Sequence, residues 1–399
     1  MGKSSILCIS TYEKGQAFLR ECAMLGCEVR LLTVDKLQDA DWPKDILTEF
    51  LTMPENLLPA QVLNTICYLL RTRHVDRIVP LDEFDLEVAA LAREHLRIPG
   101  LGESATRLFR DKLAMRATAQ AADIRVPAFV RVINDNEMRA FMENVPGPWM
   151  LKPRWNASAV GIRKIAEAGE LWPVLEELGD LRTNYVLERF VAGEVFHVEG
   201  VSTDGEILFA QPFQYGKPPF QTMHQGGVFS TRTLPGSDPD YHRLLKIHAE
   251  MLKALGMQAG VTHSEFIRST EDGEFYFLET AARVGGAYIA ETVEFATGLN
   301  PWVEWARLEV AAARGEHYAL PEVHAGYAGS VISLARQEEP DLSGYTDPEI
   351  AMRLHKAHHA GLILKSASEP RLRNLLASYT TRFVEDFYAS MPAPDKPTA

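Results

Sequence analysis

The chain has 399 residues, of which 46% are hydrophobic and 24% are charged, and its formal net charge at pH 7 is -13. This length allows two or three domains with a large core, and the composition is that of an ordinary globular protein. The negative charge argues against a general binder of nucleic acids or acidic membranes. We expect no membrane span, because no run of about eighteen apolar residues occurs. The first residues resemble no signal peptide, so we expect a cytoplasmic protein.

The first hundred residues alternate short apolar runs with segments of helical spacing. Strands are predicted at residues 6–10, 29–34 and 77–80. This βαβ pattern predicts a parallel, Rossmann-like sheet, but a nicotinamide-type site is weakly supported because GxGxxG is missing. Acidic residues at 82–85 follow the last strand, where open α/β sheets hold ligands. They could equally well cap the helix that follows.

The middle of the chain contains a lysine at the end of a predicted strand. Lys152 and Pro153 close the strand at 149–153, and a loop of small residues follows. Backbone N–H groups of such a loop can approach a phosphate, with Lys152 as a point charge beside it. Antiparallel strands are predicted at 185–191, 194–200 and 207–211. Residues 212–227 are predicted to be a long loop, of the kind that forms lids or substrate loops.

The stretch from 261 to 286, VTHSEFIRSTEDGEFYFLETAARVGG, is predicted to be a β-hairpin followed by a glycine-rich turn. The expected register pairs Glu265 with Glu279 and Ile267 with Phe277. Six residues are then expected on one face: His263, Glu265, Ile267, Phe275, Phe277 and Glu279. Facing carboxylates repel, which favours a hard cation such as Mg²⁺ between them. The alternative is an exposed hairpin whose acids face water.

The order of these motifs resembles the ATP-grasp superfamily over roughly residues 111–308. The motifs are Asp111-Lys112, Lys152-Pro153 with its loop, a hinge at 188–191, Glu194, Glu265 and Glu279-x-x-x-Arg283. The sequence THSEF…FLETAARVGG is most similar to the carboxylate–amine ligase branch, which includes the L-amino acid ligases. The resemblance implies an α/β fold with an α+β core. Its expected parts are a Rossmann-like domain (1–108), an ATP-grasp domain (109–310) with lobes at about 112–186 and 187–310, and a small C-terminal domain (311–399).

The resemblance also implies which residues form the site. Residues that would bind the phosphates, adenine and ribose of ATP are Lys112, Lys152, Ser158, Gly161, Glu188, Arg189, Val191 and Glu194. Glu265 and Glu279 would hold Mg²⁺ or Mn²⁺, and together with Arg283 they would be catalytic. Residues that would line the carboxylate and amine sites are His263, Arg232, His224, Gly285 and Gly286.

The activity implied is an ATP- and Mg²⁺-dependent ligation of a carboxylate to an amine through an acyl phosphate, with release of ADP and phosphate. Small-molecule substrates are the expected partners, and a homodimer is compatible with the resemblance. One departure is Ala281, where many relatives carry an asparagine metal ligand. Either Glu279 compensates or one of two metal sites is weakened. The alternatives are an ATP-grasp carboxylase, a kinase-like enzyme, and a nucleotide-binding regulatory protein without turnover.

Overall fold

The computed structural model describes residues 3–157, 159–225 and 227–389, with the backbone alone for 223–225. The first part is a parallel sheet with strand order β3-β2-β1-β4. Its strands are β1 (Ser5–Ser10), β2 (Glu28–Val34), β3 (Glu49–Met53) and β4 (Arg77–Pro80). The surrounding helices are α1 (Gln16–Met24), α2 (Pro59–Leu69), α3 (Leu86–Leu96) and α4 (Glu103–Arg107). Every residue of β1 is buried, as expected for a parallel sheet covered by helices on both faces.

A second, antiparallel sheet follows, with strand order β5-β8-β6-β7. Its strands are β5 (Phe129–Arg131), β6 (Trp149–Pro153), β7 (Arg163–Ile165) and β8 (Tyr185–Arg189). The helices of this lobe are α5 (Lys112–Ala121), α6 (Asp135–Asn144) and α7 (Ala168–Leu178). Asp111 caps α5 by accepting a hydrogen bond from the N–H of Leu113, which fixes Lys112 at the first position of that helix.

The third sheet is the largest in the described part of the chain, with order β13-β12-β9-β10-β11-β14-β16-β15. Its strands are β9 (Gly193–Thr203), β10 (Glu206–Tyr215), β11 (Phe229–Thr233), β12 (Gly260–Ser269), β13 (Phe275–Ala281), β14 (Tyr327–Leu334), β15 (Ile350–Arg353) and β16 (His359–Ser366). The helices are α8 (Pro219–Gln225), α9 (Pro239–Ala254), α10 (Ile289–Thr297), α11 (Pro301–Arg314) and α12 (Glu369–Asp386). β14 pairs with β11, so the C-terminal strands extend the same sheet. The three domain boundaries stay a prediction.

The hairpin β12–β13 differs from the predicted register beyond its paired carboxylates. Glu265 faces Glu279 as predicted, but a β-bulge follows and Ile267 faces Tyr276 instead of Phe277. A bulge inserts one residue and reverses the faces beyond it, so Phe277 packs against Phe266 in the core with 5.8 Å between ring centroids. The prediction that Phe275 and Phe277 share the face of Glu265 was therefore wrong.

The predicted loop at 212–227 is also shorter than expected. β10 continues to Tyr215, where it pairs with Thr231 of β11, and α8 occupies most of the remainder. In the described residues, no helix combines the length and the apolar character needed to cross a membrane.

Candidate active site

A cavity of about 460 Å³ lies where the second sheet, the third sheet and the loop after β4 meet. The loop contributes Asp82, Glu83 and Phe84, and the second sheet contributes Met150 and Lys152. The structure brings nine of the predicted residues to this cavity: Lys112, Lys152, Arg189, Val191, His263, Glu265, Glu279, Arg283 and Gly286. Pockets of this volume commonly hold small molecules.

The two paired carboxylates lie on one wall of the cavity. Glu265 accepts a hydrogen bond from the hydroxyl of Tyr215 at 2.8 Å, and its Oε1 lies 3.6 Å from Nε2 of His263. Burial alone would raise the pKa of Glu265, but His263 and Tyr215 outweigh burial and lower it. Glu279 lies 2.7 Å from Nζ of Lys112. Two carboxylates on neighbouring strands form a donor set that fits a hard divalent cation such as Mg²⁺.

Behind Glu265 lies a buried carboxylate–histidine network that the sequence patterns did not reveal. Oε1 of Glu199 lies 2.7 Å from Nδ1 of His197 and 2.6 Å from Nδ1 of His263. The other ring nitrogen of His197 lies 2.7 Å from Oγ1 of Thr231. Burial would lower the pKa of His263, but Glu199 raises it to about 10. His263 therefore lies between two acids, Glu199 and Glu265, which favour its protonated form.

The turn after β13 packs directly against this network. A Cβ added to Gly285 would lie 3.1 Å from both Oε2 of Glu199 and Nδ1 of His263. This approach explains why a residue without a side chain is needed there. Gly285 thus supports the wall from behind, whereas Gly286 lines the cavity itself.

Arg283 connects the end of the hairpin to the loop after β4. Its Nη2 and Nε lie 2.7 and 3.2 Å from Oε2 of Glu83, and Nη1 of Arg110 lies 2.7 Å from Oε1 of the same residue. Burial would raise the pKa of Glu83, but Arg283, Arg110 and Lys112 lower it to about 2. Glu83 belongs to the acidic segment 82–85, for which the sequence predicted either a ligand site or a helix cap but no contact with Arg283.

Lys152 reaches the cavity from β6 with a carboxylate buried beneath it. Its Nζ lies 2.8 Å from Oε2 of Glu188, and Nε of Arg116 lies 2.9 Å from the other oxygen. The Glu188 and Arg116 side chains are fully buried. Glu188 therefore acts on the cavity through Lys152 and does not line it.

The loop after β6 is joined to the first turn of α5. Nζ of Lys112 donates a hydrogen bond to the carbonyl of Asn156 at 2.7 Å. Gly161 has a φ of +74°, and an added Cβ would lie 2.9 Å from Pro153, so glycine is required at this turn. Ser158, predicted to cover the phosphates, lies outside the described residues.

The segment after β8 forms an edge of the cavity. The N–H groups of Arg189 and Phe190 donate to carbonyls at 2.8 and 2.9 Å, whereas that of Val191 has no hydrogen-bond partner within the described residues. The contact of this segment with adenine stays a prediction. The Arg189 side chain pairs with Glu271 at 2.6 Å, near the tip of the hairpin.

Glu194, which was predicted to bind ribose, is not among the residues that line the cavity. Its carboxylate contacts Arg268 and accepts a hydrogen bond from Nε2 of Gln214 at 3.1 Å. The neighbouring residue Val195 lines the cavity instead, because successive side chains of a strand point to opposite faces.

The predicted substrate residue Arg232 is also not among the residues that line the cavity. Arg232 contacts Oε1 of Gln214 at 2.6 Å and Glu369 of α12 at 3.2 Å. Its neighbour Thr231 points the other way and contacts His197 of the buried network behind Glu265. His224 belongs to α8, but its side chain lies outside the described part of the chain.

Comparison with known proteins gives no matching family model. The chain is 26% identical over 240 residues to the L-arginine-specific L-amino acid ligase of Bacillus subtilis, covering 59% of this chain and 57% of the relative. It is 28% identical over 194 residues to the D-alanine–D-alanine ligase of Neisseria gonorrhoeae, covering 47% and 62%. The chain therefore spans little more than half the length of the curated relatives it matches.

Solved structures agree over nearly the whole chain. The L-amino acid ligase from Bacillus licheniformis superposes with a TM-score of 0.76 at 19% identity, covering 98% of this chain and all of the other. The N5-carboxyaminoimidazole ribonucleotide synthetase from Thermus thermophilus superposes with a TM-score of 0.72 at 17% identity, covering 97% and 99%. The predicted α/β class is confirmed. The chain has the ATP-grasp fold, and the sequences that it resembles are carboxylate–amine ligases of this superfamily.

Proposed function

We propose that this protein is an ATP- and Mg²⁺-dependent ligase that joins a small carboxylate to an amine and releases ADP and phosphate. The observation that carries the proposal is the pair of facing carboxylates, Glu265 and Glu279, in a cavity whose lining also includes cations beside the two acids and the loop after β4. Among these cations we assign Lys112, Lys152 and Arg283 to the phosphates. A metal held by two acids, with cations placed for phosphates, is the arrangement that phosphoryl transfer needs.

The nucleotide would lie between the two antiparallel sheets. Its adenine would accept a hydrogen bond from the N–H of Val191 and pack against the apolar side chains of Met150, Ile267 and Leu278, which line the cavity. Lys152 and Lys112 would turn from their carboxylate partners to the phosphates. The bound metal would neutralise charge on the transferred phosphoryl group.

The reaction would proceed in two displacements. A carboxylate oxygen attacks the γ-phosphorus of ATP, ADP leaves, and an acyl phosphate forms. An amine nitrogen then attacks the acyl carbon, phosphate leaves, and the nitrogen loses a proton. Arg283 would hold the acyl phosphate with its two-pronged guanidinium group, and His263 would orient Glu265, whose Oε1 lies 3.6 Å from its Nε2.

Trapping of the acyl phosphate by hydroxylamine tests the proposal. The protein would be incubated with ATP, Mg²⁺, hydroxylamine and single amino acids, and hydroxamate and ADP would be measured. We expect both products from the unchanged protein and neither from Glu265→Gln or Glu279→Gln. A matched control is Glu274→Gln, since Glu274 is a half-exposed acid of the same hairpin that pairs with Arg243 outside the cavity.

Other outcomes would identify a different activity. ADP release that required bicarbonate and ignored amines would indicate a carboxylase, and phosphorylated acid without amide would indicate a kinase-like enzyme. Binding of ATP without any turnover would indicate a regulatory protein. Full activity of Glu265→Gln would contradict the metal assignment. A homodimer and a cytoplasmic location stay predictions.

A further inference from the structure

A second cavity, of about 350 Å³, lies behind the proposed active site. Pro80 and Leu86 line it, whereas Asp82 and Glu83, between them in the chain, line the first cavity. In the same way, Ala282 lines the second cavity and Arg283 lines the first. The two cavities are therefore separate spaces on opposite sides of the same two segments.

The buried part of this cavity carries an excess of positive charge. Three charged residues that line it are nine-tenths or more buried: Arg77, Arg93 and Glu309. Nε of Arg77 lies 2.6 Å from Oε2 of Glu309, so these two charges neutralise each other. The remaining charge belongs to Arg93.

Arg93 has no carboxylate partner among the described residues. Its Nε and Nη1 donate to the carbonyls of Ile78 and Leu101, at 2.8 and 3.3 Å. Burial lowers the pKa of Arg93 to about 10, and Glu309 offsets burial only in part. A buried charge without a counter-ion is costly, and an anion in the adjoining cavity would supply one.

The other residues that line this cavity indicate which chemical groups a ligand would carry besides an anion. The walls carry apolar side chains, including Leu101, Met257, Trp305 and Leu308, while the exposed residues include two acids, Asp204 and Glu316. Exposed acids disfavour the entry of a dianion and favour a group with positive charge. The volume lies in the range of small-molecule sites.

We propose that this cavity is a second ligand site, which binds a small zwitterion with an apolar body, such as an apolar amino acid. The carboxylate of the ligand faces Arg93, its body packs against the apolar walls, and its ammonium group faces the exposed acids. The site is independent of the chemistry in the first cavity, so its test does not require turnover.

Calorimetric titration with three matched compounds tests the site. L-Leucine carries both charges, leucinamide lacks the carboxylate, and 4-methylpentanoate lacks the ammonium group. We expect saturable binding of leucine and about tenfold or greater weakening for leucinamide, since a charge-assisted hydrogen bond is lost. Weaker binding of 4-methylpentanoate than of leucine is also expected. Absence of saturable leucine binding, or equal binding of leucinamide, would overturn the proposal.

Variants separate this site from the active site. Leucine binding should persist in Arg283→Gln and in the control Arg97→Met, a change at the exposed end of α3. It should be lost in Arg93→Met and in Ala312→Trp, where a bulky side chain replaces an exposed alanine of the lining. Ala312→Trp keeps the buried arginine, so it still tests whether leucine binds in this cavity if Arg93→Met does not fold. Unchanged leucine affinity in Ala312→Trp would refute the proposed location.

Discussion

Replacement of Glu83 by glutamine tests how the loop after β4 is held to the hairpin. The carboxylate accepts hydrogen bonds from Arg283 on one oxygen and from Arg110 on the other. Glutamine keeps the size of the side chain but removes its charge. Both guanidinium groups then lose their carboxylate partner in a buried setting, which is more costly than the loss of an exposed pair.

The pKa of Glu83 gives the size of the effect. Since one unit of pKa is worth about 1.4 kcal/mol, a decrease from 4.5 to about 2 corresponds to about 3 kcal/mol of stability at neutral pH. This value agrees with the roughly 3–5 kcal/mol expected when one partner of a buried ion pair is removed. Because the folded-state pKa is lowered, the contribution is complete above pH 4.5 and is lost as pH falls toward 2.

Urea unfolding across a pH series is the assay. We expect Glu83→Gln to lower the unfolding free energy by about 3 kcal/mol at neutral pH, and the difference to shrink below about pH 4.5. The matched control is Glu177→Gln, which breaks a two-pronged contact with Arg163 that is largely exposed and should therefore change stability far less. A wild-type unfolding midpoint for Glu83→Gln, or a difference that persisted unchanged at low pH, would refute the reasoning.

Three further predictions concern the same cavity and its surroundings. Burial raises the pKa of Asp85 to about 7, so folding favours its protonated form and its contribution to stability is lost as pH rises from 3.8 through 7. In thermal melts, the melting temperature of Asp85→Asn relative to wild type should therefore be higher at about pH 8 than at about pH 5. A difference in melting temperature that did not change with pH would contradict this. Tyr215→Phe removes the hydrogen bond to Glu265 and should raise the Mg²⁺ concentration needed for half-maximal ADP release about tenfold, whereas an unchanged Mg²⁺ requirement would count against the metal site. Lys152→Met should weaken ATP binding about tenfold or more in calorimetry, and equal affinity would remove this lysine from the phosphate site.

Sequence periodicity predicted many elements of the fold because their burial follows a simple pattern. The strands Arg77–Pro80 and Trp149–Pro153 have the predicted bounds. The hairpin register failed beyond Glu265 because a bulge leaves no mark in an alternating sequence. The segment 212–227 failed for a different reason: its Gln, Pro and Gly content is typical of a loop, but pairing of Tyr215 with Thr231 extends β10 into it.

The site could be predicted where its residues follow one another closely, as Glu279 and Arg283 do. It could not be predicted where the partners come from distant segments. Glu83 meets Arg283 across 200 positions, and Glu199 meets His263 across 64. One sequence feature could have indicated the network of Glu199: His197 and Glu199 are two residues apart in a predicted strand, so their side chains share one face.

The contact between Lys112 and Glu279, 2.7 Å long, has a thermodynamic consequence for how ligands would enter. The lysine contacts a carboxylate oxygen that a metal would need, and the carboxylate contacts the ammonium group that a phosphate would need. ATP and the metal would therefore each have to break this contact. Whichever binds first would leave the other side chain of the pair without its partner and ready to bind the second ligand. ATP and Mg²⁺ would then enhance each other's affinity by one shared factor, since such coupling is reciprocal. Such a site would favour ATP together with its metal over free phosphate, which brings no metal to take the carboxylate that it displaces.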